Sequence, residues 1–181
     1  MAHLNRTIAL VGMMGAGKTS LGKRLAARLE VEFRDADGEI EKAAGCAIPE
    51  IFARFGEPEF REGERRVIAR LLEEPPHVLA TGGGAFMDAQ TREHVARSAF
   101  SIWIKVPLPL LLARVKRRET RPLLKDGDLE ETMARLLAAR EPFYAQADMT
   151  LESQDEPHGA AIERILAALD EHHLYKESVE K

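Results

Sequence analysis

A glycine-rich octapeptide near the N-terminus, Gly12 to Thr19, constrains the fold of this chain most strongly. Its sequence, Gly-Met-Met-Gly-Ala-Gly-Lys-Thr, fits the pattern G-x-x-x-x-G-K-[ST]. The apolar run before it, Thr7 to Val11, is typical of a buried strand. The segment after it repeats leucine every fourth residue, as an amphipathic helix does (Leu21, Leu25 and Leu29). A strand, a glycine loop and a helix in this order indicate an α/β fold that begins with a buried strand.

The octapeptide is suited to binding phosphate. Its glycines let successive backbone N–H groups converge on phosphate oxygens, and the helix that follows adds the positive end of its dipole. Lys18 would reach the β- and γ-phosphates, and the Thr19 hydroxyl would ligate Mg²⁺. A glycine turn that merely joins strand to helix is the alternative, which the complete strand–loop–helix context disfavours. We expect a nucleoside triphosphate with Mg²⁺. Guanine recognition through Asn-Lys-x-Asp is excluded, because the single asparagine, Asn5, precedes the loop.

Composition excludes several classes of protein. The 181 residues fit one domain with a sizeable core, and the formal net charge of -4 disfavours a general binder of nucleic acid or anionic membranes. The single cysteine, Cys46, excludes an internal disulfide and a cysteine-based zinc site. The most apolar later stretch, 100–115, is interrupted by charged residues and prolines, and the N-terminus lacks the apolar stretch of a signal peptide. We expect a cytoplasmic monomer that binds neither nucleic acid nor membrane.

Apolar runs alternate with helical patterns along the rest of the chain. Further strands are predicted at about residues 31–34, 78–80, 101–106 and 150–151, and helices after positions 49, 58, 107 and 128 and around 162–169. This alternation implies crossover connections and a parallel sheet covered on both faces. We expect a single domain over residues 1–181, with a polar tail from about residue 171.

Two aspartates, Asp35 and Asp37, follow the second predicted strand. The period of two in a strand would point both carboxylates to the same side, at the carboxyl edge where open α/β sheets bind ligands. Beside Mg-ATP, one carboxylate can hold a metal-bound water and the other can accept a hydrogen bond from an attacking hydroxyl. A helix cap formed by Asp37 is the alternative. The sequence does not decide between the two.

Arg61 and Glu64 lie three residues apart on a predicted helix, so the carboxylate can orient the guanidinium. An oriented arginine fork suits a planar carboxylate on a ligand, although a surface ion pair is the commoner fate of such residues. Three glycines, Gly82 to Gly84, follow the strand predicted at 78–80. A tight turn needs only one or two glycines. The third glycine therefore favours a binding role, in which a ligand closely approaches backbone that carries no side chains.

Basic residues cluster in the later part of this acidic chain, at positions Arg114, Lys116, Arg117, Arg118 and Arg121. The cluster is expected to oppose a triphosphate, while positions 116–118 also fit a solvated helix face. Arg121 differs, because the proline after it restricts its backbone and moves it from a helix into a loop. Arg140 occupies a similar position at the end of a predicted helix.

Together these stretches resemble the shikimate kinase family over about residues 7–165. The phosphate loop is shared by many nucleotide enzymes, so the resemblance rests on an ordered set of segments: 15–19 (Gly-Ala-Gly-Lys-Thr), 35–37 (Asp-Ala-Asp), 60–64 (Phe-Arg-Glu-Gly-Glu), 81–84 (Thr-Gly-Gly-Gly), 121–124 (Arg-Pro-Leu-Leu) and 140–144 (Arg-Glu-Pro-Phe-Tyr). It implies a P-loop, nucleoside-monophosphate-kinase-like three-layer fold, with a five-stranded parallel sheet, flanking helices and a lid at about residues 112–126. The implied reaction transfers the γ-phosphoryl group of ATP to the 3-hydroxyl of shikimate, on the route to aromatic amino acids.

The resemblance also implies a role for each matching residue. The ATP-binding set is Gly15, Ala16, Gly17, Lys18, Thr19, Ser20, Arg114, Arg121 and Pro157, with Arg114 and Pro157 flanking adenine and Arg121 on the lid. Mg²⁺ would bind Thr19, and Asp35 would assist through water. The shikimate-binding set is Asp37, Arg61, Gly82, Gly83 and Arg140, with both arginines on the carboxylate. Lys18, Asp37 and Arg121 would be catalytic, with Asp37 a candidate base.

Two rival hypotheses stay open at this point. Another small-molecule kinase of the same superfamily, such as a gluconate kinase, would share the phosphate loop. A gluconate kinase would not require the Phe-Arg-x-x-Glu segment and the triple glycine together. A non-catalytic ATP-binding protein predicts nucleotide binding without turnover, and the presence of Lys18, Asp37, Arg61 and Arg121 disfavours it.

Overall fold

The structure is a computed structural model that describes residues 3–117, 129–153 and 158–176. Strands and helices alternate through most of these ranges. They are β1 (His3–Leu4), β2 (Thr7–Val11), α1 (Lys18–Leu29), β3 (Phe33–Asp35), α2 (Ala36–Ala44), α3 (Ile48–Leu71), β4 (Val78–Ala80), a short 3-10 helix (Ala85–Met87), α4 (Ala89–Ser98), β5 (Ala99–Lys105), α5 (Leu108–Lys116), α6 (Leu129–Tyr144), β6 (Met149–Glu152), α7 (His158–Glu171) and β7 (Tyr175–Lys176).

Five of the strands form one parallel sheet in the order β3-β4-β2-β5-β6. The central strand is β2, whose five residues are all buried, as expected of a strand covered by helices on both faces. β2 pairs with β4 on one side and with β5 on the other. The carboxyl ends of β2, β3 and β4 therefore meet at one edge of the sheet. This arrangement confirms the predicted parallel sheet with flanking helices.

The core extends from the sheet into the helices that cover it. Leu25 and Leu29 of α1 are fully buried and Leu21 nearly so, which confirms the leucine periodicity seen in the sequence. Burial of one such side chain stabilises a fold by about 1.5–3 kcal/mol. In the part of the chain that the structure describes, no helix combines the length and the apolarity needed to cross a membrane.

The long helix α3 contains a break at Gly56. This glycine has φ 81° and ψ 173°, a conformation outside the helical region that glycine adopts without a steric penalty. Pro58 follows it in the first turn after the break, where a missing N–H costs no hydrogen bond. The two helices predicted after positions 49 and 58 are therefore the two halves of α3.

The end of the described chain differs from the polar tail predicted from about residue 171. Leu174 and Tyr175 are buried, and β7 pairs antiparallel with β1 at the opposite end of the chain. The Asn5 side chain adds a hydrogen bond to the carbonyl oxygen of His173 (3.0 Å). The sequence pattern did not predict the burial of Leu174 and Tyr175, because the residues around them are polar.

The predicted lid lies only partly within the described residues. Positions 112–116 complete helix α5, while Arg118 and Arg121 fall between residues 118 and 128, outside the described ranges. Pro157 lies outside them as well. Helix α6 continues beyond Arg140, where the sequence pattern ended it, through Pro142 to Tyr144.

Candidate active site

The phosphate loop joins the central strand β2 to helix α1. Gly17 is the N-cap of that helix with φ 92°, in the left-handed region that favours glycine. Lys18 begins the helix and is largely buried, and its Nζ donates hydrogen bonds to the carbonyl oxygens of Gly12 (2.7 Å) and Met13 (2.9 Å). The loop therefore places an ammonium group beside the positive end of a helix dipole, an arrangement that attracts phosphate.

Two oxygen-bearing side chains meet beside the loop. The Thr19 hydroxyl donates to Asp35 Oδ2 at 2.8 Å, which joins the start of α1 to the end of β3. A hydroxyl and a carboxylate are hard oxygen donors, and Mg²⁺ at nucleotide sites takes one or two such protein ligands together with phosphates and water. The donor set that the sequence predicts for a metal is thus brought together and fits Mg²⁺.

Asp35 and Asp37 do not project from one strand as the period of two predicted. β3 ends at Asp35 and α2 begins at Ala36, so Asp37 stands in the first turn of a helix. The alternative of an Asp37 cap is also wrong, because Asp35 is the N-cap and its Oδ1 accepts from the Asp37 N–H (3.2 Å). Both residues still line one cleft, whose walls are Gly15, Gly17, Lys18, Thr19, Ser20, Asp35, Asp37, Thr81 and Gly83.

The glycine turn after β4 is packed tightly against site residues. A methyl group on Gly84 would lie 2.6 Å from both terminal nitrogens of Arg61, and one on Gly82 would lie 2.9 Å from Asp37 Oδ1. At Gly83 the methyl group would lie 3.2 Å from the backbone nitrogen of Met14, in the phosphate loop. The missing side chains thus make room for the side chains of the site and for the loop itself.

The two arginines predicted to share a carboxylate both reach this turn. The Arg61 guanidinium lies against Gly84, and Arg140 Nη1 donates to the Gly83 carbonyl oxygen at 3.2 Å. They come from α3 and α6, helices far apart in sequence. Two planar cations at one short turn form an arrangement that can bind a carboxylate group.

Glu64 holds Arg61 from inside the protein. Arg61 Nη1 donates to Glu64 Oε2 at 2.7 Å, and the exposed fraction of the glutamate side chain is 4%, against 32% for the arginine. This excludes the alternative of an ordinary surface ion pair. Burial raises the pKa of Glu64 above its ordinary value, and the nearby Asp37 adds to that effect while Arg61 opposes it. Within the described residues, Glu64 Oε1 is buried with no hydrogen-bond partner.

Sequence reasoning gave no role to Tyr144, which the structure places at the same turn. Its side chain is fully buried, its hydroxyl donates to the Gly83 carbonyl oxygen, and its ring stacks on Trp103 with centroids 6.0 Å apart. Burial raises the pKa of Tyr144 to about 12. Arg140 and Tyr144 are four residues apart, hence on one helix face. That spacing was the signal that could have placed Tyr144 beside Arg140. Pro142 obscured it, because a proline is expected to end a helix.

The remaining predicted residues lie around the loop or outside the described ranges. Arg114 Nη1 donates to the Ala16 carbonyl oxygen at 3.3 Å, which places this arginine against the phosphate loop. Lys116, the last residue of α5, and Arg117, its C-cap, are both exposed.

Comparison with known proteins assigns the chain to a family. A family model described as shikimate kinase matches residues 14–170. The chain belongs to the shikimate kinase family. It is 55% identical over 168 residues to a shikimate kinase of Caulobacter vibrioides, a match that covers 93% of this chain and 84% of the relative. These findings confirm the resemblance seen in the sequence and indicate a kinase that phosphorylates a hydroxyl group.

Solved structures extend the comparison. A shikimate kinase from Acinetobacter baumannii in complex with shikimate matches with a TM-score of 0.89 and 38% identity, over 93% of this chain and 95% of that one. A gluconokinase from Sinorhizobium meliloti matches with a TM-score of 0.64 at 15% identity, over 94% of both chains. The second likeness shows the fold alone, which agrees with the nucleoside-monophosphate-kinase-like architecture.

Proposed function

We propose that this protein transfers the γ-phosphoryl group of ATP to the 3-hydroxyl of shikimate. One observation carries the proposal: Arg61 and Arg140 converge on the glycine turn that abuts the phosphate loop. An acceptor whose carboxylate is held there lies beside the phosphates, so its hydroxyls face the donor. The A. baumannii relative solved with shikimate bound supports the choice of this ring carboxylate.

The acceptor half of the site would work through complementary charges and backbone groups. Arg61 and Arg140 would bind the carboxylate through charge-assisted hydrogen bonds, which are about twice as strong as neutral ones. Gly82 and Gly83 would approach the ring with bare backbone. Asp37, across the turn, would accept a hydrogen bond from the reacting hydroxyl.

The donor half would be the phosphate loop. The backbone of Gly15, Ala16 and Gly17 and the side chains of Lys18 and Ser20 would hold the phosphates, and the Lys18 ammonium would exchange the carbonyl oxygens of the loop for phosphate oxygens. Thr19 would bind Mg²⁺ directly and Asp35 through water, and the ion would neutralise negative charge on the phosphates. On the basis of the family resemblance, Arg114 and Pro157 would flank adenine and Arg121 would cover the phosphates.

Transfer then needs little covalent chemistry from the protein. The acceptor oxygen forms a bond to the γ-phosphorus as the bond from that phosphorus to the bridging oxygen of ADP breaks. The proton leaves the acceptor hydroxyl towards Asp37, the carboxylate we assign as base. Lys18 and Arg121 stabilise the negative charge on the transferring group, the main source of catalysis in phosphoryl transfer.

An acceptor panel tests this proposal directly. The full chain is assayed for ADP release with Mg-ATP and either shikimate, gluconate or a nucleoside monophosphate, and the product is analysed for a phosphate ester on the 3-oxygen. We expect turnover with shikimate. Turnover with gluconate alone would refute the choice of acceptor, and ATP binding without turnover on any acceptor would favour the non-catalytic hypothesis.

The finer expectations on assembly and location belong to the same proposal. We propose a monomer that works in the cytoplasm as a single kinase domain, with a lid at about 112–126, and that binds neither nucleic acid nor membrane. The net charge of -4 supports the last point. Sedimentation of the purified chain with and without shikimate checks the monomer.

A further inference from the structure

We propose that Tyr144 is a positioning residue for the acceptor site, because its hydroxyl holds the Gly83 carbonyl group and thereby fixes the glycine turn. The inference rests on the proposed function and adds a residue to it. Tyr144 would act through the backbone of the turn and through Arg140, without touching the acceptor.

The turn needs such an anchor because of its composition. Three successive glycines, Gly82 to Gly84, have more conformational freedom than any other tripeptide, and the entropy lost on ordering them is correspondingly large. Binding of a carboxylate at Arg61 and Arg140 requires the turn in one conformation, since both guanidinium groups lie against it. An anchor that orders the turn before the acceptor arrives lowers the cost of binding.

Tyr144 is built as a rigid anchor. Its side chain is fully buried and its ring stacks on Trp103, itself 4% exposed, so the phenol has little freedom to move. A buried tyrosine hydroxyl needs a hydrogen-bond partner, and here that partner is the Gly83 carbonyl oxygen. Because the pKa of Tyr144 is raised to about 12, the hydroxyl stays protonated and remains a donor at any ordinary pH.

The same hydroxyl affects Arg140. Tyr144 and Arg140 lie one turn apart on α6 and both donate to the Gly83 carbonyl oxygen. If the phenol were absent, the carbonyl would draw more strongly on the guanidinium, and a carboxylate on the acceptor would compete with the carbonyl for Arg140. The Tyr144 hydroxyl thus helps to hold the Gly83 carbonyl group in place. The Arg140 guanidinium is then less engaged by that carbonyl and more available to the acceptor.

Two tyrosine-to-phenylalanine variants test the inference, because the chain has two tyrosines, Tyr144 and Tyr175. Tyr144→Phe removes the hydroxyl and keeps the ring on Trp103. Tyr175→Phe makes the same chemical change in strand β7, away from the cleft, and is the matched control. For each protein we would measure kcat, the KM values of shikimate and ATP, the Kd of shikimate by calorimetry, and the thermal unfolding midpoint.

We expect Tyr144→Phe to raise the KM and Kd of shikimate about three- to tenfold, the effect of one net hydrogen bond. The KM of ATP and kcat should stay within about twofold of the wild type, and Tyr175→Phe should match the wild type in every kinetic constant. This selective rise in the shikimate constants would support the positioning role.

Three results would overturn the inference while leaving the proposed function intact. They are an unchanged shikimate KM, an equal loss in kcat and in both substrate constants, and a Tyr144→Phe chain that does not fold although Tyr175→Phe does. The last two would indicate a purely structural tyrosine. A wild-type protein that neither binds nor phosphorylates shikimate would instead refute the proposed function, and the inference would fall with it.

Discussion

A single methyl group on Gly84 should separate acceptor binding from stability. Gly84 has φ -99° and ψ -10°, which alanine adopts without strain, so Gly84→Ala alters space and leaves the backbone as it is. The new methyl group would lie 2.6 Å from both terminal nitrogens of Arg61 and 2.8 Å from Cζ. Arg61 must therefore move, while the turn can keep its place.

The structure gives the size of the displacement. An ordinary contact begins at 3.4 Å, so the guanidinium must withdraw by at least about 0.8 Å from its 2.6 Å position. Binding groups tolerate about 0.5 Å of misplacement, and 1 Å costs about a hundredfold. We expect the Kd of shikimate to rise about 10- to 100-fold, or by about 1.4–2.8 kcal/mol. The atoms that must move end a flexible side chain, so the free energy of unfolding should fall by less than about 1 kcal/mol.

Calorimetric titration with shikimate and urea unfolding measure the two effects on the same samples. Gly63→Ala is the matched control, because a methyl group there meets nothing within 4 Å. Gly63 lies inside helix α3, where alanine should stabilise the fold by about 0.5–1 kcal/mol and leave shikimate binding unchanged. Normal shikimate affinity in Gly84→Ala would refute the placement of Arg61 at the acceptor. An equally large loss in both variants would show that the effect is unspecific.

Three further changes test other parts of the site. Lys18→Ala should abolish turnover with shikimate still bound, because we propose that the ammonium group belongs to the donor half; full activity in the ADP-release assay would contradict the phosphate loop assignment. Arg61→Ala should weaken shikimate binding by about 2–5 kcal/mol, with the KM of ATP unchanged, and calorimetry that shows wild-type affinity would contradict it. Glu64→Gln should flatten the pH dependence of stability. Burial raises the pKa of Glu64 above its ordinary 4.5, so the native state binds a proton on this carboxyl group more tightly than the unfolded state does. The stability that this proton contributes is fully present below pH 4.5 and is lost as the pH rises through the raised pKa of the native state. Urea midpoints that follow the same pH curve in both proteins would show that Glu64 does not titrate in this way.

Most of the fold could be predicted because its signals are local. A short stretch of chain is enough to recognise the strand Thr7–Val11, the phosphate loop and the leucine spacing of α1. Helix α4 gave no such signal, since its buried positions are few and one of them is a threonine. The pairing of β1 with β7 joins the two ends of the chain, which no local pattern reports.

The structure brings predicted site residues together, but by a backbone geometry that the sequence did not predict. Asp35 and Asp37 do reach one cleft, but a helix begins between them and replaces the strand periodicity that the prediction used. Helix α6 runs past Pro142 because tertiary contacts of its last turn outweigh the local cost of the proline. Both errors arise where tertiary packing determines the backbone conformation. A pattern of residue types along the sequence contains no information on that packing.

The contact at Gly83 indicates how the proposed donor and acceptor halves would act as one site although they occupy separate segments of the chain. A methyl group on Gly83 would meet the backbone nitrogen of Met14 at 3.2 Å, and backbone yields less readily than the end of an arginine. The phosphate loop and the glycine turn are therefore packed main chain to main chain, which would set the distance between bound phosphates and acceptor independently of any flexible side chain. In the proposed function, Arg61, Arg140 and Asp37 would then only have to select the acceptor, because the sheet edge would already hold it within reach of the nucleotide.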